Sequence, residues 1–300
     1  MKVLLIGNRG FIGSHCQEYL LAEGKHVIGC DVLPALRSQD VCIEKAEDVV
    51  RLIRSDRFDL IINASGSPGV GFSLEYTEKD RELNYSNVKT WLDALVQHSP
   101  KTRFVNFSSA AVYGNPDQLP IMEKDPLKPL SPYGLHKKMS EELLQSYHDQ
   151  YGLQTISLRV FSAFGPRLHK QLFWDIYRKS RLSPSIELSG DGKESRDFIY
   201  IDDLVYGLML VVEKANFEGQ AINFASGIEI TIRDAAKVFL SYLGDEYKVH
   251  FNGLQKTGDP RNWLADISSL KALGFEPRVS VESGLKNTLD DYLRQELIYC

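Results

Sequence analysis

Tyr133 and Lys137 stand four residues apart in Ser131-Pro132-Tyr133-Gly134-Leu135-His136-Lys137. Ser131 is a favoured helix N-cap and Pro132 suits the first helical position, so the segment predicts a helix start. Four residues of separation place the phenol and the ammonium on one helical face. An ammonium beside a phenol favours the phenolate and lowers its pKa from a reference of about 10. Tyr133 would then accept and return a proton near neutral pH. The same spacing also occurs in ordinary amphipathic helices. A second hydroxyl adds weight to the chemical reading. Ser109, in Phe107-Ser108-Ser109-Ala110-Ala111-Val112-Tyr113-Gly114, follows a run with strand character. At a strand end it would hydrogen-bond a substrate oxygen beside Tyr133.

Gly7-Asn8-Arg9-Gly10-Phe11-Ile12-Gly13 follows the first apolar run and opens a helical pattern. Glycines there permit a tight turn, and the helix N-terminus offers N–H donors and partial positive charge to a pyrophosphate. The spacing is GxxGxxG rather than the GxGxxG dinucleotide fingerprint. Asp31 ends the second apolar run, near the offset expected for an acid on an adenosine ribose. A carboxylate there accepts from the ribose hydroxyls and repels a 2′-phosphate, which favours NAD. Arg9 and Arg37 flank it, and a guanidinium suits a 2′-phosphate, so NADP stays open.

The elements that must position these groups alternate. Val3–Ile6, His26–Cys30, Leu60–Ala64, Arg103–Ser108 and Thr155–Val160 are short, apolar and bounded by Gly, Asp, Asn or Pro. They read as buried strands. Ile12–Glu23, Lys45–Ser55, Asp80–His98 and Pro132–Tyr151 have helical spacing. The alternation predicts an α/β fold, a parallel sheet with helices on both faces. After about Pro166 the pattern loosens, with helical patterns returning at Asp202–Ala215 and Ile232–Leu243. The division expected is a sheet domain over 1–165 and about 198–225, with a smaller interleaved region over about 166–197 and 226–300 that caps the cleft. The 300 residues carry 35 Lys and Arg against 40 Asp and Glu, a net charge of −5, which argues against a nucleic-acid binder. No apolar run approaches the roughly 20 residues that cross a bilayer. Cys16, Cys30, Cys42 and Cys300 form no CxxC pair and no histidine cluster has zinc spacing, so reduced thiols, no metal and a cytoplasmic location are expected.

Taken together, these motifs resemble the extended short-chain dehydrogenases/reductases that act on nucleotide sugars, the NAD-dependent epimerase/dehydratase group. The resemblance runs from Lys2 to about Leu285 and includes Asn63-Ala64-Ser65-Gly66, Asn84, Arg159 through Pro166, Gly190-Asp191-Gly192, Arg196 through Asp203 and Gly258-Asp259. It implies a Rossmann doubly wound sheet. It implies that Gly7, Arg9, Gly10, Phe11, Ile12, Gly13 and Asp31 hold NAD, that Asp40 and Val41 contact adenine, and that Ala64, Ser65 and Gly66 line its phosphates and ribose. Tyr133 corresponds to the catalytic tyrosine, Ser109 to its hydroxyl partner, and Lys137 to the lysine that also bonds the nicotinamide ribose. Arg196 resembles the arginine that grips the sugar-nucleotide diphosphate, with an ion pair to Asp197 as the plain alternative. Gln171-Leu172 resembles the pair beside the nucleotide base, and Lys256 stands where relatives have a phosphate-binding Arg.

Three departures from the pattern stand out. Ser162 replaces a substrate-facing Asn. Ala110-Ala111 replace the Asp-Glu of sugar dehydratases, and alanines offer neither the acid nor the base that dehydration needs. Pro68 replaces a lysine of galactose epimerases. The resemblance therefore implies epimerisation at C4 of a nucleotide-diphosphate hexose through a transient 4-keto sugar. A 4-keto-6-deoxysugar reductase is the alternative, and a non-catalytic dinucleotide sensor is the reading from outside enzymology. A homodimer through Asp80–His98 and Pro132–Tyr151 is implied, using Leu83, Val88, Trp91, Leu92, Leu95, Leu143, Leu144 and Tyr147.

Overall fold

A computed structural model describes residues 1–67, 69–254 and 258–299. Seven strands form the central sheet, in the order Glu218–Phe224, Thr155–Val160, Arg103–Ser109, Leu60–Asn63, Lys2–Ile6, His26–Asp31 and Val41–Cys42. Every neighbouring pair is parallel. Side chains alternate between the two faces of a strand, and an unbroken apolar run therefore supplies both. Val3 and Leu5 enter one buried core with Leu60, Ile62, Val105 and Phe107. Leu4 and Ile6 enter the other with Ile61 and Phe104.

Helices close both faces. Phe11–Ala22 and Ile201–Lys214 bury Cys16, Leu20, Leu204 and Leu208 in the first core. Ala46–Ser55, Asn87–His98 and Pro132–Tyr151 bury Val49, Ile53, Val88, Trp91, Leu92, Leu95 and Leu144 in the second. The expected doubly wound architecture is therefore the one observed.

The helix expected over Asp80–His98 is broken into three pieces. An α-helical turn over Thr77–Arg81 runs into a π segment, Glu82–Ser86, before the α-helix Asn87–His98. A single wide turn leaves hydrophobic periodicity almost intact, so the spacing of apolar residues does not reveal it. Beyond the central sheet the chain forms two small sheets. Glu229–Thr231, Ser195–Tyr200 and Ser162–Phe164 make one; Lys248–Phe251 and Ser185–Leu188 make the other. The helices Gln171–Ser180 and Ile232–Ser241 pack with them, and Val281–Tyr299 completes this part of the chain. Among the described residues no helix is long and apolar enough to cross a membrane, and no group of His, Cys, Asp and Glu could hold a metal ion.

Candidate active site

The carboxyl ends of the central strands open into a cleft of about 1050 Å³, the usual ligand position in open α/β sheets. Its walls include Gly10, Phe11, Ile12, Ala64, Ser65 and Gly66 on the sheet side, then Ser109, Tyr133 and Lys137. Ser162, Gln171, Leu172 and Arg196 face them across the cleft. Lys256 and Pro68 lie outside the described residues, as does Cys300.

The glycine turn is built by close approach. Gly7 has φ +78°, and a Cβ there would stand 2.7 Å from the Ser65 nitrogen. Gly10 N–H donates to the Gly7 carbonyl at 3.0 Å, and helix Phe11–Ala22 starts at once. Gly13 lets that helix press against Gly7: a Cβ on it would sit 2.0 Å from the Gly7 oxygen. The Asp31 carboxylate accepts from the Arg9 and Leu33 amides, each at 3.1 Å. It thus ties the turn to the end of the second strand.

Both candidate 2′-phosphate arginines are engaged elsewhere. Arg9 Nη1 donates to the Pro34 carbonyl at 2.5 Å. Arg37 folds back, donating to the Val27 carbonyl at 3.3 Å and lying 3.6 Å from the Asp40 carboxylate. Asp40 is buried, accepting from the Gly29 amide at 2.9 Å and Gln17 Nε2 at 3.2 Å. Val41 lies beside it on the edge strand, half-buried. In this structure Asp40 braces the second strand from within.

The helix that carries Tyr133 and Lys137 starts as its cap residues predict. Ser131 Oγ accepts from the Gly134 amide at 3.2 Å, with Pro132 in the first turn. A Cβ on Gly134 would meet the Ala111 carbonyl at 2.4 Å, so the helix start packs directly on the turn Ala110–Val112 that follows Ser109. That contact brings the Ser109 hydroxyl into hydrogen-bond reach of the Tyr133 phenol. Lys137 Nζ donates to the Phe107 carbonyl at 2.8 Å and lies 5.9 Å from the Tyr133 ring centre.

The electrostatics differ from the sequence expectation in one respect. Burial pushes the Tyr133 phenol above its ordinary value; the Ser109 bond opposes this and the Asp80 charge adds to it. The net shift is upward although the Lys137 ammonium, held by the Phe107 carbonyl, stands on the same wall. Burial also brings Lys137 down to about 8, opposed by Asp80 and Glu141 and reinforced by Lys170.

Arg196 points into the cleft. It lies over Trp263 at 5.5 Å and donates to the carbonyls of Ser195 at 2.7 Å and Arg261 at 3.1 Å. The alternative ion pair with Asp197 is not formed. Asp197 is fully buried and accepts from the Ser226 amide at 2.9 Å, the Gly227 amide at 3.0 Å and the Ala265 amide at 3.1 Å. Gln171 opens its helix at φ +67°, a region most side chains avoid, beside Leu172.

Sequence reasoning missed two polar clusters. In the first, Arg159 pairs with Glu141 at 2.7 Å, both buried, and reaches the Tyr113 hydroxyl at 2.7 Å. Ser108 donates to the same glutamate. This network ties the helix Pro132–Tyr151 to the strand that carries Ser109. The second joins Ser67, Asp80, Asn84 and His136. Polar residues at core-facing helical positions were the available signal for both. Within the second, the Asn84 side-chain oxygen is buried without a donor and faces Gly66, close to Lys137. An orphaned acceptor beside the Ala64–Gly66 wall, with a glycine turn at a helix start, fits a hydroxyl-rich dinucleotide.

The comparisons with known proteins agree. The model of the NAD dependent epimerase/dehydratase family matches residues 3–225. A protein of Bacillus subtilis named uncharacterized UDP-glucose epimerase YtcB is 31% identical, with 96% of this chain and 97% of that protein covered. The UDP-glucose 4-epimerase of Thermotoga maritima, solved with UDP-glucose, superposes with a TM-score of 0.91 at 27% identity, covering 99% of this chain and 100% of that one. The UDP-glucuronic acid 4-epimerase of Bacillus cereus, solved with UDP-glucuronic acid and NAD, gives a TM-score of 0.88 at 29% identity, covering 98% and 100%. With its sheet, its glycine turn and its Ser109–Tyr133–Lys137 cleft, this chain belongs to the NAD dependent epimerase/dehydratase family.

Proposed function

We propose that this protein is an NAD-dependent nucleotide-sugar epimerase that inverts C4 of a UDP-hexose or UDP-hexuronate. The observation that carries the reading is the convergence of Ser109, Tyr133 and Lys137 on one cleft wall with Arg196 opposite them. The similar proteins that bind UDP-sugars supply the nucleotide. When held there, NAD would supply the redox chemistry, taking up and returning hydride at C4. Gly7, Gly10 and Gly13 with the helix start at Phe11 and Ile12 would hold its pyrophosphate; Asp31 would take the adenosine ribose. Ala64, Ser65, Gly66 and Lys137 would hold the nicotinamide side.

The chain's own residues do the proton work. Tyr133 takes the C4 hydroxyl proton as the hydride leaves and returns it as the hydride comes back. Ser109 donates to the C4 oxygen, and the Lys137 ammonium favours the phenolate. Arg196 grips the diphosphate with its fork while the sugar turns over, and Gln171-Leu172 seat the base. Ser162 faces the sugar. Ala110 and Ala111 leave no acid for dehydration at that wall. Arg9, one of the two arginines that kept NADP open, donates its guanidinium to the Pro34 carbonyl.

Residues 166–197 and 226–300 serve as the substrate-binding region in this reading. The protein works in the cytoplasm as a homodimer through the outer faces of Asp80–His98 and Pro132–Tyr151. Val88, Trp91, Leu92, Leu95 and Leu144 are spent in the core, which leaves half-buried Leu83 and Leu143 and exposed Leu135 for the partner. Sedimentation as a monomer at micromolar concentration would remove the dimer.

The test of function is interconversion at C4. Purified protein with NAD is given UDP-glucose or UDP-glucuronate, and the product is read by proton NMR. Appearance of the C4 epimer from either is expected. A 6-deoxy-4-keto product, or NADPH-dependent reduction of such a ketone without epimerisation, would replace the reading.

A further inference from the structure

Asp80 lies beside the catalytic pair but outside the cleft walls, in the short helix Thr77–Arg81, and is fully buried. One carboxylate oxygen accepts from Asn84 Nδ2 at 3.0 Å and from the Ser67 hydroxyl. The other accepts from His136 Nδ1 at 2.6 Å. A carboxylate only accepts, so His136 carries its proton on Nδ1. These donors come from three places: Ser67 from the cleft wall, Asn84 from the π segment, and His136 from the catalytic helix, one residue before Lys137. Asn84 also donates to Ser67 at 2.9 Å, and Ser140 of the catalytic helix donates to the Asn84 carbonyl. A buried carboxylate is costly unless its oxygens are satisfied, and here three donors satisfy it.

The charge of Asp80 acts on both members of the pair. It favours the Lys137 ammonium and disfavours the Tyr133 phenolate. The other charged groups that bear on Lys137 are Glu141, on the same helix and bound to Arg159, and Lys170, ahead of helix Gln171–Ser180. His136 is the titratable group that faces Asp80 itself.

We propose that Asp80 is a positioning residue that locks Ser67 and Asn84 to the catalytic helix and supplies the negative charge that sets the pH range in which Tyr133 and Lys137 work. The proposal rests on the epimerase reading for its assay. Asp80→Asn keeps the size of the side chain and removes its charge. Turnover needs Tyr133 without its proton and Lys137 with its own, so the two limbs of the profile together report these two groups. Both pKa values fall when the nearby negative charge is removed. The whole profile of kcat/KM against pH should therefore move toward acid, by on the order of one pH unit. Asp80→Glu, which keeps the charge and disturbs the packing, should lower the profile without moving its limbs. A lowered profile with unmoved limbs for Asp80→Asn would show a merely structural role and overturn the proposal. Should Asp80→Asn fail to fold, Asp80→Ser keeps an acceptor oxygen without charge and carries the same expectation.

An inactive wild type would sink the epimerase reading alone. The Asp80 proposal is then judged by the phenolate absorbance of Tyr133, taken as the difference from Tyr133→Phe in the native and the Asp80→Asn backgrounds. A lower titration midpoint in the latter supports it, and an unchanged midpoint overturns it.

Discussion

Glu141→Gln tests how the catalytic helix is anchored. Arg159 and Glu141 are both buried, and two guanidinium nitrogens bond the carboxylate, Nε at 3.0 Å and Nη2 at 2.7 Å. Burial alone would lower the Arg159 pKa and the Glu141 bonds raise it; without Glu141 the guanidinium still stays charged, because arginine does not deprotonate in proteins. Glutamine keeps the volume and one acceptor but leaves a buried cation without its counter-charge. Breaking one partner of such a pair costs about 3–5 kcal/mol. At ~2–3 °C per kcal/mol for a chain of this size, Tm should fall by roughly 6–15 °C. Differential scanning calorimetry with matched urea unfolding measures it. Arg159→Met with Glu141→Gln should recover much of the loss, because the stranded cation is gone. A loss below about 1 kcal/mol for Glu141→Gln would refute the reasoning: the pair would then only offset its own desolvation.

Gly7→Ala places a Cβ 2.7 Å from the Ser65 nitrogen at φ +78°, so NAD retention through gel filtration should be lost while circular dichroism stays α/β; retained NAD would contradict the cradle. Tyr133→Phe removes the proton carrier and should lower kcat by roughly 10²–10⁴-fold with little change in UDP-sugar affinity by calorimetry. Lys137 is lowered to about 8, so its ammonium is lost as pH rises through that value. Turnover should therefore change slope as pH passes through about 8, and a profile flat from pH 7 to pH 10 would contradict the role. Arg196→Ala should raise KM by roughly 10–100-fold, the worth of a charged hydrogen bond to phosphate, with a smaller effect on kcat; an unchanged KM would take the diphosphate away from Arg196.

Most of the sheet was legible because parallel strands buried on both faces need continuous apolar runs, and Val3–Ile6 and Leu60–Ile62 are such runs. The catalytic helix was legible because Ser131 and Pro132 are capping chemistry, read locally. Glu82–Ser86 was not, since one wide turn barely changes periodicity. Neither was the Asp80–His136 contact, whose partners are far apart in sequence and are brought together only by packing. The sign of the Tyr133 shift also needed coordinates. Spacing puts Lys137 on the right face, but how deeply Tyr133 is buried, and that the Asp80 charge reaches it, is set by packing between distant segments. Arg196 and Asp197 could be read as neighbours in an ion pair; strand alternation sends one into the cleft and the other into the core.

The most direct test of the central claim is C4 inversion itself, followed by proton NMR for the native protein and Tyr133→Phe with UDP-glucose and UDP-glucuronate. The account predicts that the native protein brings at least one of them to equilibrium with its C4 epimer, and that Tyr133→Phe does so at least 100-fold more slowly, in line with loss of a general acid–base. No inversion of either sugar by the native protein, or equal rates with Tyr133→Phe, would contradict it.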